Sequence, residues 1–117
     1  MKNKDRKIAE DYLKKGLQNL QGYIIALNYF SEAINADEDY AEAYYQRGWT
    51  KGMLNKNEDA IEDLTKAIDL KPDFAEAYCF RGATYLNLKK INEARSDFEK
   101  AVELGDTDAP DMIRDCC

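Results

Sequence analysis

Ala41-Glu42-Ala43-Tyr44-Tyr45-Gln46-Arg47-Gly48 returns as Ala75-Glu76-Ala77-Tyr78-Cys79-Phe80-Arg81-Gly82, one 34-residue step later. Under the same step Ala26, Ala60 and Ala94 fall in register, as do Phe30, Leu64 and Phe98, and then Ala33, Ala67 and Ala101. Segments 41–74 and 75–108 share 14 identities, against roughly two expected between unrelated segments. Each such unit buries its apolar face only against its neighbours. Function is therefore expected from a repeated surface and not from one deep pocket.

Outward from that phrase, apolar positions recur at three- and four-residue steps, as a helix with one buried face requires. The second unit is expected to hold helices near 40–54 and 57–70, and the third near 74–88 and 91–104. Ala43, Tyr44, Arg47, Gly48, Lys51 and Leu54 mark the inner face of one helix; Ala60, Ile61, Leu64, Ala67 and Ile68 mark that of the next. Asn57 is expected to cap a helix whose first turn holds Glu58 and Asp59, and Lys71-Pro72-Asp73 separates two helices. The first unit, 7–40, has Lys14 where the later units have Gly48 and Gly82, a change that costs little on a terminal repeat with no preceding neighbour. After Leu104-Gly105, Thr107 or Asp108, Pro110 and Met112-Ile113 predict a short capping helix over about 107–115.

Arg47 and Arg81 sit on these inner faces and recur with Asp63 and Asp97 sixteen residues later, where the first unit has Leu13 and Tyr29. Two charged pairs and one apolar pair predict that the positions meet, so that each buried arginine is neutralised.

The small residues at repeat positions 8, 20 and 27, the large apolar ones at position 24, and Pro72 at position 32 resemble tetratricopeptide repeats. The resemblance spans three tandem units, about 7–40, 41–74 and 75–108, within one domain, 1–117. Asp106 and Glu38 stand where the family's proline falls, and Arg47 and Arg81 where leucine is usual. The resemblance implies an all-α, right-handed superhelical α-solenoid of three antiparallel helical hairpins, plus the C-terminal cap.

Composition narrows the function. Among 117 residues, 44 % are hydrophobic and 34 % charged, which suits a soluble fold with a narrow continuous core. A formal charge of −6 repels the phosphate backbone, so nucleic acid is not an expected partner. No apolar run is long enough to span a membrane, and residues 1–7 lead into no signal core. Cys79, Cys116 and Cys117 form no framework spacing, and free thiols in a cytoplasmic protein are expected. Cys116-Cys117 is similar to the lipid-acceptor pair ending some small GTPases, yet no polybasic stretch or GTPase motif accompanies it. Histidine is absent, which removes His-based acid–base and nucleophilic catalysis and His-containing zinc sites. No Gly-rich phosphate loop is present. The expectation is a non-enzymatic protein with no catalytic residues, no cofactor and no metal.

In the family that the sequence resembles, first helices of successive repeats line a concave groove through positions 2, 5, 9, 12 and 13. Carried over at the 34-residue step, these are Ile8, Asp11, Lys15, Gln18 and Asn19 in the first unit. The second unit supplies Glu42, Tyr45, Trp49, Gly52 and Met53, and the third Glu76, Cys79, Ala83, Leu86 and Asn87. Nine of these, Asp11, Lys15, Tyr45, Trp49, Met53, Cys79, Ala83, Leu86 and Asn87, are the candidate peptide-binding residues. Large Trp, Tyr and Met side chains are what an apolar anchor site uses. Members that hold the C-terminal carboxylate of heat-shock chaperones use a basic and amide cluster; at the corresponding places stand Asp11, Lys15, Gln46, Glu76 and Phe80, which does not match. The expected partner is a segment of another protein, with homo-oligomer assembly through the repeat faces as the alternative.

Overall fold

The structure is a computed structural model, and it describes residues 5–19 and 22–105. Among the described residues six helices follow one another: α1 Arg6–Gln18, α2 Tyr23–Ala36, α3 Ala41–Met53, α4 Asn57–Leu70, α5 Ala75–Asn87 and α6 Ile91–Glu103. They pair as hairpins α1–α2, α3–α4 and α5–α6; α2 packs on α3 and α4 on α5, with a lighter α3–α5 contact. This is an all-α solenoid. The expected capping helix, with Cys116 and Cys117, lies outside the described residues. No helix among the described residues is long and apolar enough to cross a membrane.

Alanine and glycine set how closely the helices approach. Ala26, Phe30 and Ala33 in α2, Ala60, Leu64 and Ala67 in α4, and Ala94, Phe98 and Ala101 in α6 are fully buried. A Cβ placed on Gly82 would lie 2.7 Å from Cε1 of Phe98, and one on Gly48 3.0 Å from Cγ of Leu64. The aromatic ring of α6 therefore occupies the space that a side chain at Gly82 would need. Thr50 and Thr84, also buried, satisfy their hydroxyls on the carbonyls of Gln46 and Phe80, both at 2.8 Å.

The turns correct one expectation. Asn57 is the first residue of α4, not its cap; Lys56 holds the cap position without a side-chain hydrogen bond. The chain instead leaves α3 through a Schellman turn: Lys56 N–H donates to the Lys51 carbonyl and Asn55 N–H to that of Gly52, with Asn55 at φ 61°. α5 ends the same way, with Lys89 at φ 61°. A side chain in this left-handed region carries a cost that glycine avoids. Lys89→Gly is therefore expected to raise the unfolding free energy by up to about 1 kcal/mol. Urea denaturation measures it, and a destabilised variant would show that the turn does not depend on this backbone angle.

The two inner-face arginines are paired as expected and reach further. Arg47 donates from Nε and Nη2 to both carboxylate oxygens of Asp63, at 2.8 and 2.9 Å, and from Nη1 to Ser31 Oγ of the preceding hairpin at 3.3 Å. Arg81 repeats the pattern with Asp97 at 2.8 and 2.7 Å and Thr65 at 3.2 Å. Each guanidinium thus joins three helices. Hydrogen bonding to the aspartate raises each arginine's pKa, against the opposing effect of burial. Asp63 also receives Lys51 Nζ at 3.0 Å; Asp97 has Tyr85 where that lysine would stand.

Candidate functional site

The first helix lies in a different register from the one a uniform 34-residue step assigns. Gly16, not the residue at 14, faces Phe30, as Gly82 faces Phe98. Lys15 lies over the Tyr12 ring at 5.5 Å, as Arg47 lies over Tyr44 at 5.9 Å and Arg81 over Tyr78 at 5.6 Å. Lys14 is exposed. Helix α1 therefore matches α3 by a step of 32, because two residues are missing from the connection into α2. The phrase Ala9-Glu10-Asp11-Tyr12-Leu13-Lys14-Lys15-Gly16 is the first copy of Ala41–Gly48, and its shared Ala-Glu-x-Tyr and glycine are the signal that the fixed step passes over. With this register Leu13 is no counterpart of Arg47. Lys15 takes the arginine's place, opposite Tyr29 instead of an aspartate.

This shift divides the candidate residues. Leu17 of α1 and Tyr45, Gln46 and Trp49 of α3 line one cleft of about 260 Å³. Asp11 and Lys15 line another with Ile8 and Tyr12, of about 290 Å³, on the face of α1 that a preceding repeat would cover. Asp11 and Lys15 therefore lie apart from the Trp49 cleft, and the 32-residue step puts Glu10, Leu13 and Leu17 in register with Glu42, Tyr45 and Trp49. Cys79 is 9 % exposed in the last core cluster with Ala94, Phe98 and Ala101, so it packs there instead of lining the surface. Ala83 and Leu86 are half-buried beside that cluster, and Met53 and Asn87 are exposed.

Trp49 is half-buried and joins two rings outside the expected set. Its ring centroid lies 6.2 Å from that of Tyr23 at the start of α2, edge to face, and 6.4 Å from that of Phe80 on α5. A Cβ on Gly52 would lie 3.0 Å from the Phe80 ring, so the missing side chain is what lets Phe80 lean toward α3. The Tyr45 ring packs tilted against that of Phe74, with centroids 4.9 Å apart. The rings thus hold Trp49 against both neighbouring hairpins while the cleft toward Leu17 stays open. A third cleft, of about 340 Å³, lies between α5 and α6 around Arg81, Tyr85 and Asp97.

Two family models match: TPR repeat over residues 54–89 and Tetratricopeptide repeat over residues 75–108. No curated protein matches the chain. Among solved structures it is similar to the first TPR of Spaghetti (RPAP3) bound to the HSP90 peptide SRMEEVD, at 25 % identity and TM-score 0.94, over 97 % of this chain and 94 % of that one. The second TPR of Spaghetti, bound to the same peptide, is 29 % identical with TM-score 0.83 over 87 % of this chain and 96 % of that one. The Arabidopsis OM64 TPR domain is 26 % identical with TM-score 0.90 over 95 % of both chains.

Proposed function

Because the chain is a tetratricopeptide repeat protein, we propose that it is a non-enzymatic interaction module binding a peptide segment of another protein along α1, α3 and α5. The observation that carries this is the cleft of Leu17, Tyr45, Gln46 and Trp49 between successive first helices. A large aromatic beside an open apolar cleft is the composition of an anchor site. Similar structures with a peptide bound support the mode of binding. Their ligand is not carried over: on the corrected register the first-unit places of the family's carboxylate-holding cluster are Leu13 and Leu17, followed by Gln46, Glu76 and Phe80. That set contains no cation. The test is capture of a partner from native lysate, followed by an NMR footprint of its binding segment on the labelled chain. Shifts are expected at Leu17, Tyr45, Gln46 and Trp49; shifts confined to the outer faces of α2, α4 and α6 would refute the groove.

The cleft of Ile8, Asp11, Tyr12 and Lys15 supports a second reading, assembly of copies through the open N-terminal face. Ile8 is 45 % exposed there. Light scattering across a concentration series separates the two readings: a monomer at all concentrations leaves the peptide module alone.

A further inference from the structure

The register that aligns α1 with α3 and α5 also aligns Glu10, Glu42 and Glu76, one glutamate at the same position of every first helix. α1, α3 and α5 each open a hairpin, so they run in one direction and their N-terminal ends share one edge of the groove. Glu42 meets Lys71 at 3.5 Å with both side chains more than 40 % exposed, and it also feels the charge of Arg6, whose guanidinium is bonded to Asp37. Glu10 and Glu76 are exposed and have no hydrogen bond or ion pair to any described residue. Stabilisation of helix ends accounts for Glu42 and Glu76, which lie in first turns. It does not account for Glu10: α1 has no acidic residue in its first turn. Burial lifts the Tyr40 pKa, and the negative charges of Glu42 and Glu10 lift it further against the lowering effect of Arg6, so the two carboxylates act on the same place.

Seven residues on from Glu10 and Glu42, along the same two helices, lie the apolar Leu17 and Trp49 of the cleft. Resting on the groove reading above, we infer that the bound segment is basic: a peptide with lysine or arginine beside one large apolar side chain. The apolar side chain enters the cleft against Trp49, and the cations face the three glutamates. Acidic segments of the kind held by the similar structures are repelled, both by these carboxylates and by the −6 formal charge of the chain.

The experiment is selection of a random dodecapeptide phage library on the immobilised chain, followed by calorimetric affinity measurement on wild type, Trp49→Ala and the variants below. Recovered sequences are expected to be net positive with an aromatic or long aliphatic residue. The variant Glu10→Gln, Glu42→Gln, Glu76→Gln is expected to bind them about tenfold more weakly. A charge-matched control, Glu32→Gln, Glu62→Gln, Glu99→Gln, changes exposed residues on α2, α4 and α6 and is expected to stay within about twofold. Acidic or uncharged sequences that still need Trp49, or equal losses in the two triple variants, would overturn the inference and leave the groove standing. Failure to recover any peptide whose binding needs Trp49 would overturn both.

Discussion

Arg81→Leu is expected to lower the unfolding free energy by about 3 kcal/mol, and Arg47→Leu by less, although the two arginines occupy equivalent positions. Asp97 is 5 % exposed and receives both of its described hydrogen bonds from Arg81. Leucine at 81 leaves a buried carboxylate with no cation, the situation that makes loss of one member of a buried pair costly. It also removes the contacts of the guanidinium with Thr65 and with the rings of Tyr78 and Tyr85, at 5.6 and 5.9 Å. Asp63 is in a milder position, because Lys51 remains 3.0 Å away after Arg47 is lost. Replacing both partners, Arg81→Leu with Asp97→Tyr, removes the stranded charge and is expected to recover most of the stability. The first unit already tolerates tyrosine at the aspartate's place, at Tyr29. Urea denaturation of wild type, Arg81→Leu, Asp97→Tyr and the double variant gives the coupling. Additive effects below about 1 kcal/mol would show that these pairs behave as exposed ion pairs.

Much of this fold is legible in the residues because a repeat states its pattern more than once. Helix boundaries in the second and third hairpins fall within two residues of those expected, and the pairing of Arg47 with Asp63 follows from its recurrence. The first helix shows where such reasoning slips. A constant 34-residue step aligns α2 correctly, since Ala26 and Phe30 match Ala60 and Leu64, but it displaces α1 by two residues. The close approach at Gly16 fixes the register, and a glycine's importance depends on what lies opposite it. Asn57 has the chemistry of a cap, yet the preceding left-handed turn at Asn55 delivers the chain one residue early. Thr50 and Thr84 read as polar, and their burial follows only from bonds within their own helices. At the site, Tyr45 and Trp49 are legible as large residues on one stripe, whereas Leu17, Tyr23 and Phe80 enter through contacts between helices that no spacing encodes.

Trp49→Ala is expected to weaken the complex with a groove-bound peptide by about thirtyfold or more, corresponding to the roughly 2–4 kcal/mol that a central tryptophan anchor contributes. The same side chain packs on Tyr23 and Phe80, so its loss also lowers stability, and affinity alone does not separate the two roles. Tyr23→Ala separates them: it removes one of the packing partners and leaves the lining of Leu17, Tyr45, Gln46 and Trp49 in place. The decisive measurement is the dissociation constant of one peptide for wild type, Trp49→Ala and Tyr23→Ala, each with its unfolding curve, at a temperature where all three are folded. Recognition in the groove predicts a loss of about thirtyfold for Trp49→Ala and little change in affinity for Tyr23→Ala, with both variants somewhat less stable. Unchanged affinity in a folded Trp49→Ala protein would contradict it, and would assign the tryptophan to packing alone.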